Sequence, residues 1–113
     1  MNTIELGYFG NIWVRQHMFD VAGESHPGHK HKFDHVTLLT QGKASVEIEG
    51  YEPREFKAPT FIIIRKEHNH KITALEDKTI YYCVFALRDL NGEVVDDVYG
   101  GAHDPMSAGK VDD

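Results

Sequence analysis

Between Lys43 and Glu49 apolar and polar residues alternate without a break: Ala44, Val46 and Ile48 have one parity, Ser45, Glu47 and Glu49 the other. A period of two belongs to a β-strand with one buried and one solvated face. Five further runs, Ile12 to Phe19, Val36 to Thr40, Phe61 to Arg65, His70 to Leu75 and Ile80 to Leu87, are short and rich in β-branched and aromatic residues. Each predicts a strand. Turn-forming residues separate them: Asp20 with the loop from Gly23 to Gly28 and its Pro27, the pair Gln41-Gly42, Gly50, and Glu76-Asp77-Lys78. No segment repeats apolar residues at helical spacing, and no internal repeat is evident. Six to eight short strands in one domain predict an all-β sandwich or barrel. From Tyr99 onward, Gly100, Gly101, Pro105 and Gly109 leave little to bury. The expectation is a single domain over residues 1–98 and a flexible tail over 99–113, with His103 a solvated tail residue.

Length and charge narrow the class. The 113 residues suffice for one core and not for two. Eighteen acidic residues against twelve Lys and Arg give a net charge of −6, and no basic run stands out, so nucleic acid and anionic membranes are not expected partners. The strongly apolar stretch Phe61 to Ile64 is far too short to span a bilayer, and MNTIELGYFG lacks the pattern of a signal peptide. A soluble, cytoplasmic protein is expected. Cys83 is the one cysteine, which excludes an intrachain disulfide, and its apolar run IYYCVFAL predicts a buried structural thiol.

The eight histidines change the picture. His29, His31 and His35 cluster in HPGHKHKFDHVTLLTQG, and His70 lies in FIIIRKEHNHKITAL. Neutral imidazole is the commonest side-chain ligand of first-row transition metals. On a strand His29 and His31 share a face and can chelate one ion, whereas on a helix residues two apart diverge. His35 has the same parity, but a straight strand would carry it roughly 20 Å past His29. Metal–nitrogen bonds of about 2.0–2.1 Å therefore require a bend, and Lys32-Phe33-Asp34 is the expected place. His17, His26 and His68 are read as surface or hydrogen-bonded core residues outside the site.

The spacing of Gly23, His29, His31, His35 and Gly42 resembles the first cupin motif, with histidine where glutamate is usual. Gly50 and His70, followed by Ile72-Thr73-Ala74-Leu75, resemble the second, although Arg65 and Glu67 replace its usual proline and glycine. The replacement of glutamate by His35 makes the chain similar to small four-histidine monocupins. That resemblance implies a cupin-type double-stranded β-helix, a jelly-roll barrel, holding one divalent transition-metal ion on His29, His31, His35 and His70. By the same analogy Fe(II) or Mn(II) is favoured, while nitrogen ligands also suit Cu, Ni, Co or Zn.

Four neutral imidazoles leave the full +2 charge on an ion, and octahedral geometry would leave two positions open. The resemblance then implies a dioxygenase-like oxidoreductase acting on a small organic substrate, with Phe33, Phe61 or Tyr81 lining an apolar pocket. The alternative is a non-catalytic cupin module that binds metal or a small molecule. An isomerase or epimerase would need a positioned base, and Glu47, Glu67 and Asp34 read as solvated residues. Exposed strand edges predict a homodimer, with Thr3 to Phe9 in its interface.

Overall fold

A computed structural model describes residues 2–27, 32–86, 88–94, 98–100 and 105. His29 and His31 lie outside the described residues, as does the expected tail apart from Tyr99, Gly100 and Pro105. Ten strands are present among the described residues: β1 (Asn2–Gly10), β2 (Ile12–Met18), β3 (Ser25–His26), β4 (His35–Gln41), β5 (Lys43–Ile48), β6 (Arg54–Lys57), β7 (Thr60–Ile64), β8 (His70–Ala74), β9 (Ile80–Ala86) and β10 (Val98–Gly100). Six of them match the runs read from periodicity. The short β3, β6 and β10 carry no alternation long enough to register, and β1 contains the Thr3 to Phe9 segment expected in a dimer interface. β10 runs across the expected 98/99 boundary and pairs with β1.

All pairings are antiparallel and form two sheets, β10-β1-β2-β9-β4-β7 and β3-β8-β5-β6. Sequential strands repeatedly switch sheets, so the chain wraps a single interior, as a jelly roll does. Alternation decides which side chains enter it. Leu39 and Thr37 come from β4, Ala44 and Val46 from β5, Ile62 and Ile64 from β7, Ile72 and Ala74 from β8, and Tyr81, Cys83 and Phe85 from β9, all buried. Phe61 and Ile63, between the inward residues of β7, are 68% and 60% exposed. Phe61 is therefore not a pocket-lining aromatic. An unbroken apolar run conceals its own parity, and Ile62 and Ile64 take the interior face.

Two backbone positions shape the ends of the barrel. Gly42, in the β4–β5 turn, has φ +85°, and a Cβ there would lie 3.0 Å from the Thr79 Cα, so both conformation and space demand glycine. Glu67, between β7 and β8, has φ 64°. It adopts the left-handed conformation that the usual motif glycine would take without steric cost. Lys32 and Phe33 form the expected bend before β4. Asp34 accepts the Lys66 amide at 2.8 Å, tying that bend to the β7–β8 loop. This bond, more than the neighbouring Arg65 and Lys66 charges, holds the Asp34 carboxyl below its ordinary pKa.

Candidate functional site

His35 opens β4 in the larger sheet and His70 opens β8 in the smaller one. Parity turns both inward, leaving them 4% and 7% exposed. Their register partners are Ile64 and Ile48, so the rings meet across the interior at the same level, with centroids 5.8 Å apart. With metal–nitrogen bonds of about 2.1 Å, two imidazoles on one ion have centroids no more than roughly 6.4 Å apart. The pair fits that limit. His35 also stacks on Phe85 at 4.9 Å, and Phe85 in turn meets Trp13 at 5.3 Å and the edge of Phe33 at 6.3 Å. This aromatic wall orients the His35 ring and keeps water from its face. Among the described residues no three His, Cys, Asp or Glu side chains form a group that could hold a metal ion. The other two sequence candidates, His29 and His31, lie outside those residues.

The site is wider than the sequence indicated. A cavity of about 20 Å³, near the size needed for one water, is bounded by His17, His26, His35 and His70 together with Arg15 and Tyr81. His17 is a hydrogen-bonded core residue, its Nδ1 3.0 Å from Thr3 Oγ1, yet it lines this cavity. Its ring stacks on Tyr81 at 4.8 Å, as their direct pairing between β2 and β9 dictates. His26 reaches in from the edge strand β3, and its Nδ1 lies 2.9 Å from the Tyr81 hydroxyl. Both are hydrogen-bonded residues, as expected, and both also border the cavity beside His35 and His70. For His17 the signal was its parity with Trp13 and Arg15; for His26, in a two-residue strand, none existed. His68 faces elsewhere, meeting Tyr51 edge-on at 6.1 Å in an outer cleft.

Cys83 is the buried thiol expected, with its Sγ 3.9 Å from Thr37 Oγ1. Burial pushes it up to about 11 from an ordinary 9.0, against smaller opposing effects of Thr37 and Arg15. Burial, with a smaller contribution from Cys83, also raises the Tyr81 hydroxyl. Both groups fold as neutral species. Above pH 9 the unfolded chain loses the Cys83 proton that the folded chain retains, so stability falls from about pH 9 to 11. The expected loss is about 3 kcal/mol. Urea titrations at pH 8, 9, 10 and 11 measure it, and Cys83→Ala should flatten the first part of the decline. An unchanged slope in that variant would remove the thiol as its cause.

No protein-family model matches the chain, and no curated protein does. Solved structures do. KdgF from a Halomonas species aligns with TM-score 0.67 at 22% identity, over 79% of this chain and 82% of that one. An RmlC-like cupin family protein with a double-stranded β-helix fold, from Methanocaldococcus jannaschii, aligns with TM-score 0.67 at 15% identity, over 75% and 78% of the two chains. The DMSP lyase DddQ from Ruegeria pomeroyi gives TM-score 0.61 at 19% identity, over 76% of this chain and 43% of that one. At such identities the likeness concerns the fold. With two antiparallel sheets wrapped around one interior, the chain has the cupin-type double-stranded β-helix fold.

Proposed function

We propose that the chain is a metal-dependent enzyme acting on a small organic substrate, with one divalent transition-metal ion, Fe(II) or Mn(II), held by His29, His31, His35 and His70. The supporting observation is the pair of buried imidazoles from opposite sheets, His35 and His70, at a separation compatible with one ion. Such an ion, when bound, would supply the Lewis acidity and redox chemistry of a dioxygenase-like reaction. The chain's own part is then positional. Phe85 fixes the His35 ring, Trp13 and Phe33 close the wall behind it, and Arg15 brings a cation to the same cavity.

A second reading is supported by the His26–Tyr81 hydrogen bond. An imidazole and a phenol hydroxyl held at hydrogen-bond distance would serve as the acid–base pair of an elimination or isomerisation. The experiment is elemental analysis of untagged protein purified without added metal or chelator, followed by oxygen uptake with diketone, thiol or flavonol substrates. About one Fe or Mn per chain and metal-dependent uptake support the dioxygenase. Turnover that proceeds without oxygen supports the acid–base reading. Metal without turnover leaves the non-catalytic module, and no metal overturns the proposal.

A homodimer belongs to the same proposal. Ile4, Leu6, Tyr8, Phe9 and Ile12, on β1 and the start of β2, are 39–69% exposed, an apolar surface for a second copy to cover. Light scattering should give about twice the mass of a single chain, and the mass of one chain at micromolar concentration would exclude it.

A further inference from the structure

The two sheets leave a seam that the histidine site does not use. Among the described residues, β7 ends the larger sheet and pairs only with β4, while β6 ends the smaller sheet and pairs only with β5. Between these edges lies a cleft of about 380 Å³. That volume is within the roughly 300–1,000 Å³ of small-molecule sites. Its lining is largely apolar, with Val46, Phe56, Ile62 and Ile64, and includes Arg54 and Arg65. Arg54 lies 5.2 Å over the Phe56 ring, and among the described residues no carboxylate is within 4 Å of it. Arg65 is 3.6 Å from Asp34, with both side chains half exposed or more, a geometry that a stronger anion contact can replace. Glu52 is the one carboxylate in the lining. Arg65 is shared with Asp34 and Glu52 lies in the lining, so Arg54 is the cation of this cleft that an added anion can claim.

We infer that the cleft binds a small amphipathic carboxylate, its hydrocarbon part against Val46, Phe56, Ile62 and Ile64 and its carboxylate between Arg54 and Arg65. The apolar floor takes the tail out of water, and the guanidinium groups select the anionic head. Ile64, the strand partner of His35, shares its interior face, so the floor of the cleft lies beside the histidine pair in the same interior. Binding here requires neither a metal nor the His26–Tyr81 pair.

The test is isothermal titration calorimetry of the full chain with octanoate, octan-1-ol and octyltrimethylammonium, up to about 5 mM ligand. Octanoate should saturate one site, the alcohol and the cation should bind at least tenfold more weakly, and Arg54→Glu with Arg65→Glu should weaken octanoate at least tenfold. Both arginines are exposed, and an unchanged melting temperature verifies that the variant folds. Octanoate affinity should also survive a chelator, which separates this site from the histidine centre. Absence of saturable heat, equal binding of the alcohol, indifference to the arginine changes, or loss of octanoate on chelation would each overturn the inference.

Discussion

Replacing His70 by alanine is expected to reduce bound metal from about one ion per chain to less than about a tenth, and to abolish metal-dependent turnover. Losing a residue that merely orients a ligand costs about 10–100-fold in metal affinity, so losing a ligand costs more. His70 is buried at the first position of β8, opposite His35, and the chain offers no flexible side chain on that strand to replace it: the next inward residues are Ile72 and Ala74. His35→Ala should behave alike. His68→Ala is the internal control for metal content, because two residues away in sequence His68 packs on Tyr51 outside the interior. Elemental analysis of the three variants beside wild type decides the matter. Equal metal loss from all three, or retention in His70→Ala, would break the assignment. Acid should mimic the ligand variants. Each ligand must be neutral and protons compete with the ion for it, so occupancy should fall between roughly pH 6 and 4, and a flat metal titration there would exclude imidazole ligands.

How much of this was legible in the sequence depends on how far each signal is local. Alternation in Lys43–Ile48 announced both its strand and its buried face, because a period of two is written into consecutive residues. Turn chemistry at Gln41-Gly42 likewise placed the β4–β5 turn. Parity failed in the run from Phe61 to Ile64, where every residue is apolar and the interior face follows from pairing with β4. The cavity followed the same division. His35 and His70 stood out by spacing, but the approach of His26 to Tyr81, 55 residues away, is a product of the fold. So is the cleft at the open seam, since Arg54 and Ile62 belong to edges of different sheets. Sequence patterns report what neighbours along the chain share. They say little about which edges are left unpaired.

Phe19→Ala should cause the largest loss of stability, about 3–5 kcal/mol, with a fall in melting temperature of roughly 10–25 °C. Phe19 is fully buried, immediately after β2, and its ring lies 5.7 Å from Tyr81. Its amide donates to the Thr79 carbonyl at 2.9 Å, and Thr79 is the residue against which Gly42 packs. Truncation would therefore leave a void at a point where β2, β9 and the β4–β5 turn meet, with backbone bonds on every side resisting collapse. A drop below about 1 kcal/mol would mean that the surroundings close over the void and that this end of the barrel is not close-packed. The same variant separates stability from the site. β2 and β9 run antiparallel, so Met18 pairs with Ile80 at the Phe19 end, while Phe85, against which His35 stacks, pairs with Trp13 near the other. Well below its melting temperature, Phe19→Ala should keep wild-type metal content. It connects to the histidines through Tyr81, which packs on Phe19 through its ring and reaches His26 through its hydroxyl. If the void lets that ring shift, the acid–base reaction should slow while metal stays bound. Loss of metal and stability together would instead show that the barrel responds as one unit from Phe19 to His35.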